Sequence, residues 1–477
     1  MAESLKNKTV KGIAWTSLSQ FLNLGLGFVI GVVLARLLSP SDYGLLAMIL
    51  VFNSIAFSFL DSGFGNALIR KPNLTEDDNT TAFYFNVVAG FVLFGIIWLI
   101  APLVSAFYDK PILTQLLRAE GCMLILTGFK IVPQTQLTRA LNFKAKTMIR
   151  VTSNVIGGVV GIVCAYRGLG VWSLVVSHIV DAIINLLLLW ILSPWRPHGK
   201  WSGRSFSYLW GFGSKLLATD ILNNIYGNIY PIIIGKFYSA ADVGQYTRAN
   251  QYAGMPTGTI LFAVQQVTFP VLSQIQDDIE RLRNNYRRML RLTVFVIFPI
   301  MMGMLVLAHP LVITLVTNKW EECVPYLQLI CLAAMWYPVH SINLNLLQVK
   351  GRSDLFFRLE VVKKLLSTVT IFICVPHGIM AMCIGGICSS ILCLVINTHY
   401  TGKLINLGLG RQMIDLAPSL LNSIFMGVVV FFTTMPIDNE IMKLTVGIPV
   451  GIACYLTTAW LFRMSELKEA LDIIRRR

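Results

Sequence analysis

The sequence predicts an all-α integral membrane protein with about fourteen transmembrane helices. They form two six-helix lobes in a parallel pseudo-twofold repeat, followed by two C-terminal helices. Three observations predict this: composition, the length of the apolar runs, and the placement of Lys and Arg between them. Hydrophobic residues make up 55% of the 477 positions and charged residues 13%, against about 25% charged in a soluble domain. Mean hydropathy is +0.67. The formal charge of +15 does not point to nucleic acid, because the basic residues sit beside apolar runs rather than on a soluble face.

A bilayer core takes about 20 apolar residues per helix. Lys6, Lys8 and Lys11 precede the first run at 12–35, which is too long for the apolar region of a signal peptide and lacks a cleavage pattern. Further runs follow at 43–64, 81–106, 113–133, 149–166 and 169–192. The seventh, 211–235, is interrupted by Asp220, Asn223, Asn224 and Asn228. The remaining runs are 245–270, 292–316, 323–347, 357–376, 378–399, 413–434 and 442–462. The eleventh carries Arg358, Glu360, Lys363 and Lys364 in its first turns, where long side chains reach headgroups. Thirty of the 39 Lys and Arg fall on the side shared by the N-terminus, the even loops and the C-terminus; seven fall in the odd loops. A missing or extra helix would invert this alternation partway along the chain. The expectation is therefore fourteen spans with both termini cytoplasmic.

The expected organisation is an N-lobe over 1–192, an amphipathic cytoplasmic-face linker over 193–210, a C-lobe over 211–400, and the last two spans with a basic tail over 401–477. The linker mixes Trp195, Trp201, Phe206, Tyr208 and Trp210 with Arg196, Lys200 and Arg204, a composition suited to the headgroup layer. The tail, SELKEALDIIRRR, spaces Leu467, Leu471 and Ile474 as a surface helix does.

Two phrases repeat at the ends of the first and seventh runs, ARLLSPSDYG at 35–44 and GKFYSAADVG at 235–244. They match at Arg36/Lys236, Ser39/Ser239, Asp42/Asp242 and Gly44/Gly244. Six spans separate them, an even number, so the repeat is parallel. Ser, Asp and Gly also build turns and caps for their own sake. Arg36, Asp42, Lys236 and Asp242 are the candidates for an external gate.

Charges inside spans are costly and face cavities or partners. Here they are Asp61, Arg118, Glu120, Lys130, Asp181 and Asp220. His178 and Asp181 lie three apart and share a helix face; such a pair either carries protons or fixes packing through a hydrogen bond. His178, Asp181 and Asp220 are the candidates for ion coupling. Arg118 and Glu120 lie two apart and point to different faces. The seventh and eighth runs carry the polar stretch Asn223, Asn224, Asn228, Arg248, Asn250 and Gln251. Amides suit sugar hydroxyls, and Arg suits phosphate through forked hydrogen bonds. Gly157 and Gly161 allow close helix approach. The nine Cys form no C-x-x-C pair and read as small apolar side chains, so neither a metal nor a cofactor is expected. Walker A, H-E-x-x-H and G-x-S-x-G motifs are absent, and no external loop has room for an active site. The expectation is a transporter rather than an enzyme.

KGIAWTSLSQF, VLARLLSPSDYGLLAM, DSGFGNALIRKPNLT and FPVLSQIQDDIERLRNNYRRMLRL resemble the Wzx-type polysaccharide flippases of the MOP exporter superfamily, in the colanic-acid-exporter-like branch. The resemblance extends over essentially the whole chain. It implies the MOP flippase fold and a bacterial inner membrane flippase. That flippase would move undecaprenyl-diphosphate-linked oligosaccharide repeat units to the periplasmic leaflet, for exopolysaccharide, capsule or O-antigen-type synthesis. The resemblance also implies alternating access, and coupling to a proton or sodium gradient or the membrane potential. Its partners would be the lipid-linked substrate, membrane lipids, a polysaccharide polymerase and glycosyltransferases. By position in the fourth and eighth spans, Arg118 and Arg248 match the expected contacts to the lipid diphosphate. The alternatives are a multidrug exporter of the same superfamily and a membrane polysaccharide polymerase.

Overall fold

The structure is a computed structural model that describes residues 2–61 and 63–475. Helices and two short 3-10 turns account for its regular structure, with no strand among the described residues. The chain divides into two compact units, Met1–Gly244 and Gln245–Arg477.

The first unit holds α1 (Ala2–Leu37), α2 (Pro40–Asp61), α3 (Phe64–Arg70), α4 (Glu76–Tyr108), α5 (Ile112–Arg139), α6 (Phe143–Tyr166), α7 (Trp172–Leu192), α8 (Gly203–Gly227) and α9 (Ile229–Phe237). Next comes α10 (Ala240–Gln274), whose first turn belongs to this unit. The second unit continues with α11 (Ile279–Val306), α12 (Ala308–Val316), α13 (Cys323–Ala334), α14 (Tyr337–Val349), α15 (Ser353–Cys374), α16 (Ile379–Ile405), α17 (Leu409–Thr434), α18 (Glu440–Leu461) and α19 (Ser465–Arg475).

Each of the fourteen expected spans falls on a helix or on a broken pair of helices. Eleven spans among the described residues are long and apolar enough to cross a membrane. The other three are the seventh, eighth and eleventh, which are helical but carry the asparagines, Arg248 and the basic first turns noted above. The seventh breaks at Asn228, between α8 and α9. The ninth breaks at Leu307, between α11 and α12. The tenth breaks between Ala334 and Tyr337, where Pro338 removes a backbone donor.

In the first unit α4 packs on α5 and α6 on α7. The second contact depends on Gly157 and Gly161. A Cβ on Gly157 would lie 2.8 Å from the Ser177 carbonyl oxygen, and one on Gly161 would lie 2.7 Å from the Ser177 Cβ. The Ser177 hydroxyl donates to the Gly157 carbonyl at 2.9 Å. Small residues let the two backbones meet, as interhelical contact in a membrane favours.

Residues 193–202 form an extended strap held to the first turns of α4. Trp195 Nε1 donates to Glu76 Oε2 at 3.0 Å, Gly199 N to Thr80 Oγ1 at 3.0 Å, Lys200 N to Asp77 Oδ1 at 2.8 Å and Ser202 N to Thr81 Oγ1 at 3.0 Å. Buried Trp195 and Leu209 join Phe64, Phe83 and Val132 in one apolar cluster. α8 and α9, expected as the end of the linker over 193–210 and the start of the second lobe from 211, pack here against α2, α3 and α4.

In the second unit α11 packs on α17, α17 on α18, and α13 and α15 on α16. A buried uncharged network links three helices. Asn343 exchanges hydrogen bonds with Gln412 at 3.2 and 3.3 Å and accepts one from Thr401. Such side-chain bonds hold helices together where lipid supplies no hydrophobic driving force. At the end where α11 begins, Arg287 forks onto Asp415 of α17, with Nε–Oδ2 at 2.7 Å and Nη2–Oδ1 at 2.6 Å. Arg288 meets Glu469 at 2.7 Å and Arg291 meets Glu466 at 3.5 Å, so α19 lies on α11.

Candidate functional site

The repeated phrases come together inside the first unit. Ser39 caps α2: its backbone N–H donates to Asp42 Oδ2 at 2.9 Å, its hydroxyl donates to the same oxygen at 2.6 Å, and Asp42 N donates back to Ser39 Oγ at 3.3 Å. Ser239 and Asp242 repeat this at the start of α10, at 2.9, 2.7 and 3.1 Å. Both are capping boxes with Asp in the place of Glu. The two glycines do not serve the turns. A Cβ on Gly44 would lie 1.6 Å from the Ala240 carbonyl oxygen, and one on Gly244 would lie 1.9 Å from that of Pro40. Each glycine thus accommodates the opposite helix start, and the contact is reciprocal.

At the second corner the gate candidate Lys236 reaches α4 rather than Asp242. Lys236 donates to the Phe107 carbonyl at 2.6 Å and lies 3.5 Å from Asp109 Oδ2. The reason is local: capping occupies Asp242, while Lys236, near the end of α9, faces the end of α4. Arg36 is exposed on the last turn of α1.

His178 pairs with Glu120 rather than Asp181. His178 Nδ1 lies 2.8 Å from Glu120 Oε1, and Glu120 is 1% exposed. Asp181 instead packs against Gly157, where an added Cβ would lie 2.9 Å from its own. Three-residue spacing puts His178 and Asp181 on one face but does not say which neighbour supplies the partner; α5 does so from 58 positions away. Glu120, seen in the sequence only as a charge within a span, therefore belongs with His178. Arg118 turns to the other side of α5 and lies over the Trp98 ring at 4.4 Å, with Nε donating to the Trp98 carbonyl at 3.3 Å. The side chain of Asp61 lies outside the described residues.

Asn224 of α8 and Asn228, at the break after it, donate to Ser58 and Ser54 of α2, the second bond at 3.5 Å. These two amides tie helices together here, whereas Asn223 and Asp220 are exposed.

In the second unit Arg248 is 4% exposed. Its guanidinium lies 5.0 Å from the Trp320 ring centroid and 5.7 Å from that of Tyr252. Nη1 donates to Gln251 Oε1 at 3.0 Å. Beside it, Gln245 donates to the Lys319 carbonyl at 3.0 Å. Aromatic faces stabilise a weakly hydrated planar cation away from water. Trp320 is not visible from the sequence because it comes from a distant segment, whereas Tyr252 lies four positions after Arg248 on the same helix face. Asn250 is exposed. The nine cysteines are unpaired thiols, and no group of three metal-ligating side chains forms among the described residues.

These helices define a polytopic all-α membrane fold. The fold superposes on the lipid II flippase MurJ, in an inward closed conformation, with a TM-score of 0.76. That likeness covers 94% of this chain and 99% of that one at 15% identity. An inward-facing multidrug resistance transporter of the MATE family, MOP superfamily, matches with a TM-score of 0.61 over 82% of this chain and 98% of the other, at 14% identity. Residues 33–325 match the polysaccharide biosynthesis protein family, and the chain belongs to that family. The lipopolysaccharide biosynthesis protein WzxC of Escherichia coli (strain K12) is 28% identical over 405 residues, 83% of this chain and 80% of the relative.

Proposed function

We propose that this protein flips undecaprenyl-diphosphate-linked oligosaccharide repeat units from the cytoplasmic to the periplasmic leaflet of a bacterial inner membrane, by alternating access. Membership of the polysaccharide biosynthesis family over residues 33–325 carries the reading. The likeness to WzxC over 83% of the chain supports it. Fourteen spans with both termini cytoplasmic fit the charge alternation.

In this reading Arg248 and Arg118 contact the lipid diphosphate, and Asn223, Asn224, Asn228, Asn250 and Gln251 contact sugar hydroxyls. The corner carrying Arg36, Asp42, Lys236 and Asp242 closes the outer side. His178, Asp181 and Asp220 serve coupling to an ion gradient or the membrane potential. The product passes to a polysaccharide polymerase, downstream of glycosyltransferases.

The test is complementation of a strain that lacks the gene. The wild-type chain restores surface polysaccharide, while Arg248→Ala and Arg118→Ala leave lipid-linked repeat units accumulating in the inner leaflet. Full output from both variants contradicts the binding assignment. Drug sensitivity with unchanged surface glycans, on loss of the gene, contradicts the substrate.

A further inference from the structure

α11 opens with Arg281, Arg283, Arg287, Arg288 and Arg291. Three of these meet carboxylates on α17 and α19: Arg287 with Asp415, Arg288 with Glu469 and Arg291 with Glu466. Arg283 is placed differently. It lines a cavity of about 670 Å³ whose second cationic wall is Arg411, in the first turn of α17. Much of the remaining wall is glycine, at 402, 408 and 410, with Asn406 beside it. No carboxylate lines this cavity.

Two guanidiniums lining one solvent-open groove with no carboxylate make it electropositive, which favours an anion there. Arg411 Nη1 donates to the Asn406 carbonyl at 3.0 Å. A guanidinium has five N–H donors, so this bond orients the group and leaves donors for a ligand. Glycine walls let a ligand approach the backbone closely. α17 starts from Gly408 without a side-chain cap, which adds a favourable but secondary dipole.

We propose that this cavity binds a phosphate-bearing anion, either a phosphodiester headgroup or a diphosphate, held between Arg283 and Arg411. Guanidiniums favour phosphate because their planar fork matches two of its oxygens. The charge alternation puts this end of the second unit at the cytoplasmic surface, where anionic lipid headgroups and soluble phosphates are both within reach. Neither Arg118 nor Arg248 lines the site, and it stands independently of the transport reading.

The experiment uses the full chain with two probes. The first is inorganic pyrophosphate, titrated calorimetrically against detergent-solubilised protein at low and at raised salt. The second is phosphatidylglycerol, supplied in nanodiscs and compared with phosphatidylcholine nanodiscs by thermal unfolding. R283Q/R411Q is the test variant, R283K/R411K keeps charge without the fork, and R281Q alters an arginine outside the cavity. Unfolding in phosphatidylcholine checks that each variant is folded.

Pyrophosphate binding that weakens about tenfold or more in R283Q/R411Q, is intermediate in R283K/R411K and unchanged in R281Q supports the site, with a soluble phosphate as its source. That binding also falls with salt. Stabilisation by phosphatidylglycerol alone, lost in R283Q/R411Q, supports the site with a lipid headgroup as its source. Equal responses of wild type and R283Q/R411Q to both probes, including no response, overturn the proposal.

Discussion

Gly44 and Gly244 are fixed by what stands opposite them. An alanine methyl at either place would overlap a carbonyl of the facing helix start, at 1.6 and 1.9 Å. Gly44→Ala and Gly244→Ala should each destabilise the purified protein by about 1–3 kcal/mol, as overpacking does. Gly25→Ala, with nothing within 4 Å, should be neutral or slightly stabilising because alanine favours helix. Thermal unfolding in detergent checks the contrast; equal effects at Gly25 and Gly44 would contradict it. The glycines were legible in the sequence as a matched pair, but their purpose was not, since turn chemistry explains Ser39 and Asp42 without them. Glu120 makes the same point. Helical spacing correctly sends Arg118 and Glu120 to different faces, yet only the fold brings His178 to Glu120. In a double-mutant cycle, Glu120→Gln and His178→Gln should be coupled by about 1 kcal/mol or more, whereas Asp181→Asn with His178→Gln should couple more weakly. Additive effects for the first pair would contradict the pairing.

At the scale of elements, α11, α17 and α19 are tied by charges that the sequence offers only as a basic run and an amphipathic tail. Asp415 is buried, and Arg287 covers it with two short bonds. Arg287→Ala strands that carboxylate and should cost about 1–3 kcal/mol, discounted from a fully buried pair because Arg287 is partly exposed. Arg287→Ala/Asp415→Ala should recover part of the loss; a double variant less stable than the sum of the single ones would contradict the pairing. The strap over 193–202 has a comparable role in the first unit. A Cβ on Gly199 would lie 2.6 Å from the Glu76 carbonyl oxygen, so Gly199→Ala should loosen the strap and raise proteolysis or hydrogen exchange at 193–202. The sequence reading captured the strap's aromatic and basic character. It could not show that the strap's backbone donors go to Asp77, Thr80 and Thr81, because those groups lie more than a hundred positions earlier.

At the scale of the whole molecule, hydropathy and charge made the helical membrane architecture legible, because a bilayer punishes any unsatisfied backbone. Eleven spans meet the length and composition of a crossing. The other three are polar where the chain departs from lipid-facing chemistry, so composition alone does not count them. Candidate site residues were less legible: Asn224 and Asn228 bond to α2, and Arg248 rests between Tyr252 and Trp320. Residue type indicated their chemistry, while their partners depended on the packing. The most direct test of the central claim is reconstitution of the purified protein into liposomes containing a lipid-linked oligosaccharide. The measurement is the rate at which substrate becomes accessible to an external, membrane-impermeant glycan-modifying enzyme. The account predicts that the wild-type chain exposes the protected inner-leaflet pool and that Arg248→Ala does so more slowly. Exposure no faster than in protein-free liposomes, from a folded and reconstituted chain under an imposed ion gradient or membrane potential, would contradict it.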